Sequence, residues 1–379
     1  MALVLTEEQE LLQNSAEEFV RDNSPVSRLR ELRDSKDSIG YSRDLWKQMA
    51  ELGWTGIIFP ESYGGSELGY AELGVVLEEL GRALAPEPFI STLLLGGNAI
   101  LLGGSESQKQ AILPGICNGE KVVALAFQEQ GRFAPYAVST KAEATGGGFC
   151  LTGEKRFVLD GHVADDLLVV ARTSGSVGER GGLTLFRVDP AAEGVQVTRT
   201  IMVDSRNAAR VKLDGVQVGK SEVVGALDGA ADLLDLVFDR AAIGQAAELL
   251  GTLREAFERT LEYLKTRKQF GVPIGSFQAL KHRAAEMFCE VELSTSITLE
   301  ALRAIDDGRD DVPKLASAAK ARVSDAAVLI TCEAVQMFGG IGMTDEEEIG
   351  FFLKRARAAE LTFGDAAYHR DRFASLGGY

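Results

Sequence analysis

The feature that most constrains this chain is a double change in the period of its apolar residues. From Thr6 to about Gly119 they recur at helical spacing, from Lys121 to Gly225 they alternate or cluster in short β-branched runs, and from Leu227 the helical spacing returns. A helix buries one stripe and a strand buries every second residue, so a change of period is a change of element type. The chain therefore predicts an α+β fold in three consecutive regions: an N-terminal α-helical domain over 1–119, a middle antiparallel β domain over 120–226, and a C-terminal four-helix bundle over 227–379. A chain of 379 residues exceeds the size at which one core keeps growing, which agrees with several domains.

Local signals sharpen this division. Thr6, followed three residues later by Gln9, is a capping-box start for "EEQELLQNSAEEFVRD". A second helix, "YSRDLWKQMAELGW", ends at Gly53. The Gly- and Pro-rich "IIFPESYGGSELGY" interrupts the pattern, and "YAELGVVLEELGRALAP" resumes it up to Pro86. The middle region reads as a small antiparallel sandwich or barrel built from runs such as "KVVALAF", "GFCLTGEKRFVL", "DLLVVART" and "ARVKLDGVQV", with "TGGG" and "SGSVGERGG" as surface loops. Four long helical segments follow Leu227, the first expected to run as far as Gly271 and the second to begin at about Phe277.

Charge and composition exclude several classes of function. There are 56 acidic and 40 basic residues, a net charge of −16, which argues against binding a nucleic-acid backbone. The opening "MALVLTEEQE" loses its apolar character at Thr6, and no apolar run reaches membrane-spanning length, so neither a secretory signal nor a membrane anchor is expected. The four cysteines, Cys117, Cys150, Cys289 and Cys332, have no CxxC spacing and predict reduced, buried thiols in a cytoplasmic protein. With three histidines and no His/Cys cluster, no metal site is expected.

Two stretches could carry chemistry. In "EYLKTRKQFGVPIGSFQALKHRAAEM", residues 262–287, Tyr263 and Arg267 share a helix face, and Phe270 and Phe277 bracket the break between two helices. A guanidinium beside an exposed aromatic suits a nucleotide, pairing with pyrophosphate and stacking on a base; a helix C-terminus that places Arg267 against its own dipole explains the same residues. In "CEAVQMFGGIGMTDEEEIG" the glycines Gly339, Gly340 and Gly342 fall between two helices, where backbone N–H groups stand open to a phosphate; a helix-to-helix corner explains them equally well.

Together these stretches resemble the acyl-CoA dehydrogenases, flavin enzymes of fatty-acid-type β-oxidation. The resemblance runs through the α–β–α order, "ELGWTGIIFPESYGG", "GSESQKQAILPGICNGEKVVALAFQE", "GEKRFV", "RKQFGVPIGSFQ" and "QMFGGIGMT". It implies the family's fold, FAD as cofactor, an acyl-CoA substrate dehydrogenated to the trans-2-enoyl-CoA, and an electron-transfer flavoprotein as acceptor. It implies that Arg267 contacts the pyrophosphate and Phe270 packs at the adenine end with Gln278 nearby. Gln336, Gly339 and Gly340 would supply contacts to the flavin nucleotide of a neighbouring subunit. Phe127 and Gln128 would lie against the isoalloxazine, and Phe157, Val158 and Leu159 match a segment the family usually writes Trp-Ile-Thr.

The sequence also departs from the family pattern. The usual catalytic Glu precedes a Gly and a Thr, and here that triplet reads Phe363, Gly364, Asp365. Some members carry the base on the first long helix of the bundle, before an Arg, where Asp239 precedes Arg240; a solvated or Arg-paired helix residue is the other reading of Asp239. Glu360 and Asp365 are further carboxylates near the turn, read as surface and helix-end charges. The loop "QEQGRFAP" keeps Gln128 and Glu129 but has Ala134 where the family has a Ser, and Leu159 replaces a flavin-facing Thr. This pattern is similar to the base-lacking subunit of the α2β2 heterotetramers found among steroid-degrading actinobacterial relatives, which implies a paralogous partner and a bulky, sterol-derived acyl-CoA. A self-sufficient homotetramer using Asp239, a non-catalytic subunit that completes an FAD site, and a flavin monooxygenase or nitroalkane-oxidase-like enzyme on the same fold are the alternatives.

Overall fold

A computed structural model describes residues 4–379. Its helical beginning comprises α1 (Glu7–Asn23), α2 (Val26–Asp34), α3 (Arg43–Glu51), α4 (Tyr70–Arg82), a π-helical segment Ile90–Gly97, α5 (Asn98–Gly103) and α6 (Glu106–Cys117). The strands are β1 (Val123–Ala126), β2 (Lys141–Ala144), β3 (Gly148–Leu159), β4 (Asp166–Arg172), β5 (Leu183–Val188), β6 (Val195–Ile201), β7 (Asn207–Gly219) and β8 (Val223–Val224). Then come α7 (Ala230–Thr266), a hairpin of β9 (Lys268–Gln269) and β10 (Val272–Pro273), α8 (Gln278–Asp306), α9 (Val312–Phe338), α10 (Ile349–Leu361) and α11 (Ala366–Leu376).

These elements gather into two compact units. One contains the segments through Ser35, Gly69–Ala85 and Ala242–Tyr379; the other contains Lys36–Leu68 and Pro86–Ala241. In the helical unit the Thr6 capping box forms as expected and starts α1. The backbones of α4 and α7 touch because glycine stands at both contact points. A Cβ on Gly81 would lie 1.9 Å from the carbonyl oxygen of Glu248, and one on Gly251 would lie 1.8 Å from that of Glu78. Thr252 adds a hydrogen bond to the Gly81 carbonyl at 3.1 Å, and Arg254 pairs with Glu78 at 2.7 Å beside the crossing. The buried Arg355 guanidinium donates to the carbonyl of Leu84, just past the end of α4.

In the sheet unit the strand order is β6-β7-β3-β2-β4-β5-β8, and β1 pairs with β4. Alternation along β7 turns Val211, Leu213, Val216 and Val218 inward, where they meet Leu151, Val169 and Phe186. Pairing is antiparallel except where β1 runs parallel to β4 and where Lys141 bridges Arg172.

The structure corrects several expectations. The first helix after Leu227 stops at Thr266, not Gly271, because Phe270 and Gly271 both adopt positive φ (53° and 79°) in a two-residue hairpin turn. The fourth bundle segment is short, and the polar tail after Gly364 forms a fifth helix, α11, whose first turn is capped by Asp365 accepting from the Tyr368 N–H at 2.8 Å. Helix α2 lay unread behind Pro25. All four thiols are free as expected, but Cys289 and Cys332 are exposed; Cys117 is buried, which pushes its pKa up to about 11. The stretch Val312–Met343 is long and apolar enough to cross a membrane, and half of its most apolar 18-residue window is buried inside the protein.

The Gly81–Gly251 crossing yields a direct test. Gly251→Val forces a side chain into the Glu78 carbonyl and should lower the unfolding free energy by about 3 kcal/mol, the upper end for overpacking, measured by urea denaturation. A loss below about 1 kcal/mol would mean that the two backbones separate freely.

Candidate active site

The sequence-predicted residues of the helical unit meet at one end of the bundle. Tyr263, in the last turn of α7, stacks on Phe338 at the end of α9 with ring centroids 4.3 Å apart and 15° between planes, and its hydroxyl donates to the Phe338 carbonyl. This stack brings Arg267 and Phe270 to the same end as Gln336, Gly339 and Gly340. Gln278 opens α8, and all six residues are exposed. Phe270 is 89% exposed at the tip of the β9–β10 hairpin, its ring edge-on to Phe277 at 6.0 Å. A Cβ built on Gly339 or Gly340 meets nothing within 4 Å, so that side of the turn is uncovered, while the Gly339 N–H donates to the Gln336 carbonyl. The exposed set is a guanidinium, a carboxamide, an aromatic face and a glycine backbone with no side chain over it, which fits an anionic nucleotide.

The turn carrying Phe363 lies in the same unit. Phe363 is 3% exposed with φ +61°, and Gly364 follows at φ +103°. Two buried side chains, Lys320 and a neutral His369, hold its backbone. Lys320 Nζ donates to the carbonyls of Ala359, Glu360 and Gly364 and to Ser324 Oγ, at 3.0 to 3.2 Å. Burial pulls the Lys320 ammonium down to about 7, opposed by Glu360 and Asp365. His369 Nε2 lies 3.0 Å from the Phe363 carbonyl, and its Nδ1 is buried with no partner. Burial, then the Lys320 and Arg372 charges, push His369 down to about 3, with the Phe363 carbonyl opposing. Glu360 pairs with Arg357, and Asp365 is spent on capping α11.

The remaining predicted residues belong to the sheet unit. Gln128 ends the segment after β1, and its carbonyl accepts from the Arg156 N–H at 2.8 Å, which sets it beside the β3 segment Phe157–Leu159. Pairing of β3 with β7 shifts register between Lys155 and Val158, and Phe157 sits in that bulge with φ +51° and 44% exposure. Val158 is buried and Leu159 is half-buried. Glu129 is a hub: it accepts from the backbone and hydroxyl of Ser139 and of Thr140 and pairs with the fully buried Lys155 at 2.6 Å. Burial resists ionisation of Glu129, but Lys155 and these hydrogen bonds prevail and hold it at about 2.

Phe127 departs from its expected role. Its ring packs against Phe133 at 5.9 Å and Phe238 at 4.7 Å, and with 5% exposure it offers little face outward. Asp239, the residue after Phe238, is 4% exposed, which rules out the solvated reading. The loop bearing Ala134 is fastened to α7: Arg180 lies over the Tyr136 ring, donates to its hydroxyl, and pairs with Asp232 and Asp235.

Comparison with known proteins shows the family. The acyl-CoA dehydrogenase N-terminal, middle and C-terminal domains match residues 6–120, 126–216 and 229–375. The acyl-CoA dehydrogenase FadE12 of Mycobacterium tuberculosis is 32% identical over 326 residues, covering 85% of this chain and 84% of the relative. The chain belongs to the acyl-CoA dehydrogenase family. Among solved structures, the Tcur3481–Tcur3483 steroid ACAD is 32% identical with a TM-score of 0.86 over 98% of each chain. A chain of the ChsE4–ChsE5 complex of Mycobacterium tuberculosis is 26% identical with a TM-score of 0.89, covering 100% of this chain and 99% of that one. Acyl-CoA dehydrogenases are FAD-dependent oxidoreductases acting on CH–CH donors, and the open, donor-rich end of the helical unit fits FAD's pyrophosphate.

Lys320 and His369 escaped the sequence reading: in "KLASAAKARVSDAAV" Lys320 stands among Lys314, Arg322 and Asp325, and nothing local marks it as the buried one. His369 gives a pH test. Its folded pKa of about 3 lies below the ordinary 6.5, so the unfolded state binds the extra proton and stability falls as pH drops from 6.5 toward 3. Glu79, raised by burial to about 7, acts with the opposite sign and loses its contribution as pH rises through 7, so a difference measurement is needed. His369→Gln should narrow the stability gap between pH 6.5 and 4.5 by about 2 kcal/mol relative to the wild type, read by urea denaturation at both values. Parallel profiles would show that His369 is protonated in the fold.

Proposed function

We propose that this chain is the base-lacking subunit of a hetero-oligomeric acyl-CoA dehydrogenase that oxidises an acyl-CoA thioester to the trans-2-enoyl-CoA. The observation that carries the reading is Phe363: its ring is buried and its backbone fixed, so this turn presents no carboxylate. A thioester α-proton is too weakly acidic to leave without a positioned base and hydrogen bonds to the carbonyl. FAD, when bound, supplies the acceptor for the β-hydrogen. This chain's part is to bind and orient: Arg267 pairs with the pyrophosphate, Gln336 and the Gly339–Gly340 peptides receive neighbouring polar atoms, and Phe270 covers the adenine end.

The partner in this reading is a paralogous subunit in an α2β2 assembly, with an electron-transfer flavoprotein as acceptor and the cytoplasm as location. The likeness to a steroid ACAD and to a two-component complex supports the partner and a bulky, sterol-derived acyl group. Ala134 and Leu159, which lack the hydroxyls of the family pattern, support a reduced flavin role for this subunit's own sheet unit.

A second reading rests on Asp239. It is a buried carboxylate next in sequence to Phe238 of the Phe127–Phe133–Phe238 cluster, and a homotetramer would use it as base. Anaerobic mixing with a panel of acyl-CoAs separates the two. The chain purified alone should leave added FAD oxidised, and the chain co-purified with its paralogue should bleach it. Bleaching by the lone chain that Asp239→Asn abolishes would establish the second reading.

A further inference from the structure

The ten residues between α9 and α10, Gly339 to Glu348, have a glycine-rich first half and an acidic second half. Four consecutive carboxylates, Asp345 to Glu348, follow closely on the exposed Gly339–Gly340 backbone. Left unneutralised, they would repel a pyrophosphate. Two of the four are neutralised from other helices: Arg259 of α7 pairs with Glu348 at 2.8 Å, and α2 supplies two arginines for Asp345. Arg33 grips Asp345 with both terminal nitrogens, each at 2.7 Å. Arg30 donates to the Asp345 carboxylate at 3.0 Å and also to its backbone carbonyl. Both guanidinium groups rest on the Phe351 ring, at 4.8 and 5.0 Å from its centre, with Lys354 on the same ring at 5.3 Å.

The segment is thus stapled at Phe338 by Tyr263, at Asp345 by Arg30 and Arg33, and at Glu348 by Arg259. The exposed stretch between the first two staples contains Gly339, Gly340 and Met343. A planar guanidinium gripping a carboxylate in two bonds fixes direction as well as distance, which a lysine would not do. The turn is a short 3-10 stretch, Gly339–Met343, closed by the Thr344 N–H and hydroxyl on the Ile341 carbonyl, and glycine's conformational freedom leaves its register dependent on what fixes its ends.

We propose that Arg30 and Arg33 are positioning residues that hold the Gly339–Met343 turn in the shape that receives the pyrophosphate of FAD and screen that turn from the acidic run behind it. The inference rests on the reading that this turn faces FAD, and it assigns the α2 helix, which the sequence pattern had left without a role, to the cofactor site.

Two measurements on the full chain, alone and with its paralogue, test it. Amide hydrogen exchange over residues 338–346 reports the order of the turn, and flavin fluorescence reports FAD affinity at low and high salt. The double variant Arg30→Gln/Arg33→Gln should lose about tenfold in protection and about tenfold in FAD affinity at low salt, as expected if the competent shape falls to a tenth of its population. The affinity loss should shrink at high salt, which a purely structural defect would not do. The charge swap Arg33→Glu with Asp345→Arg should recover most of the protection. If the double variant unfolds, Asp345→Asn, which leaves both arginines on Phe351, must loosen the same segment. Unchanged exchange and affinity in a folded variant would overturn the assignment. Failure of the wild-type chain to take up FAD in either setting would instead sink the reading on which it rests, and the assignment with it.

Discussion

A single buried ammonium group organises the turn that carries Phe363. Lys320 has no contact with water, yet it donates to three carbonyls and a hydroxyl that converge where α10 ends and the Phe363 turn begins. Removing an ammonium from water is costly, and only a full set of acceptors offsets it. Those acceptors include the last carbonyls of α10, which the helix itself leaves unsatisfied. The chain therefore fixes the backbone of this turn, while the side chain on it, Phe363, has no acid–base capacity. Frame and function have been uncoupled.

The same uncoupling separates the two groups of predicted cofactor residues. At the end of the helical unit, Arg267, Gln336, Gly339 and Gly340 stand exposed and open, as a surface that receives a ligand should. In the sheet unit Phe127 and Val158 are turned inward, while Phe157 stays exposed in its bulge. Phe127 is committed to an aromatic cluster, Glu129 spends its oxygens on Lys155, Ser139 and Thr140, and the loop bearing Ala134 is fastened by Tyr136 and Arg180. A chain that presents one half of a cofactor site and closes another suits assembly with an unlike partner.

Much of this was legible in the sequence. The period changes located the helices and strands because burial of one face leaves a direct imprint on residue spacing. What escaped were features set by backbone conformation or by contacts distant in sequence. The helix before Arg267 was read five residues too long, because its end is dictated by a turn that needs positive φ at Phe270, a residue with no intrinsic preference for it. Helix α11 was read as a polar tail because only the Asp365 cap announces it. The staple between Arg33 and Asp345 joins residues 312 positions apart, beyond the reach of any local pattern. Phe363 was conspicuous from the start, but its meaning depends on Lys320 and His369, whose convergence requires the fold.

The central claim is a division of labour between unlike subunits. Native mass spectrometry of this chain co-expressed with its paralogue, with bound flavin counted in the same spectrum, tests it most directly. The account predicts a complex containing equal numbers of both chains, with one FAD for each unlike pair. A tetramer of this chain alone, carrying one FAD per subunit and reduced by an acyl-CoA, would contradict it.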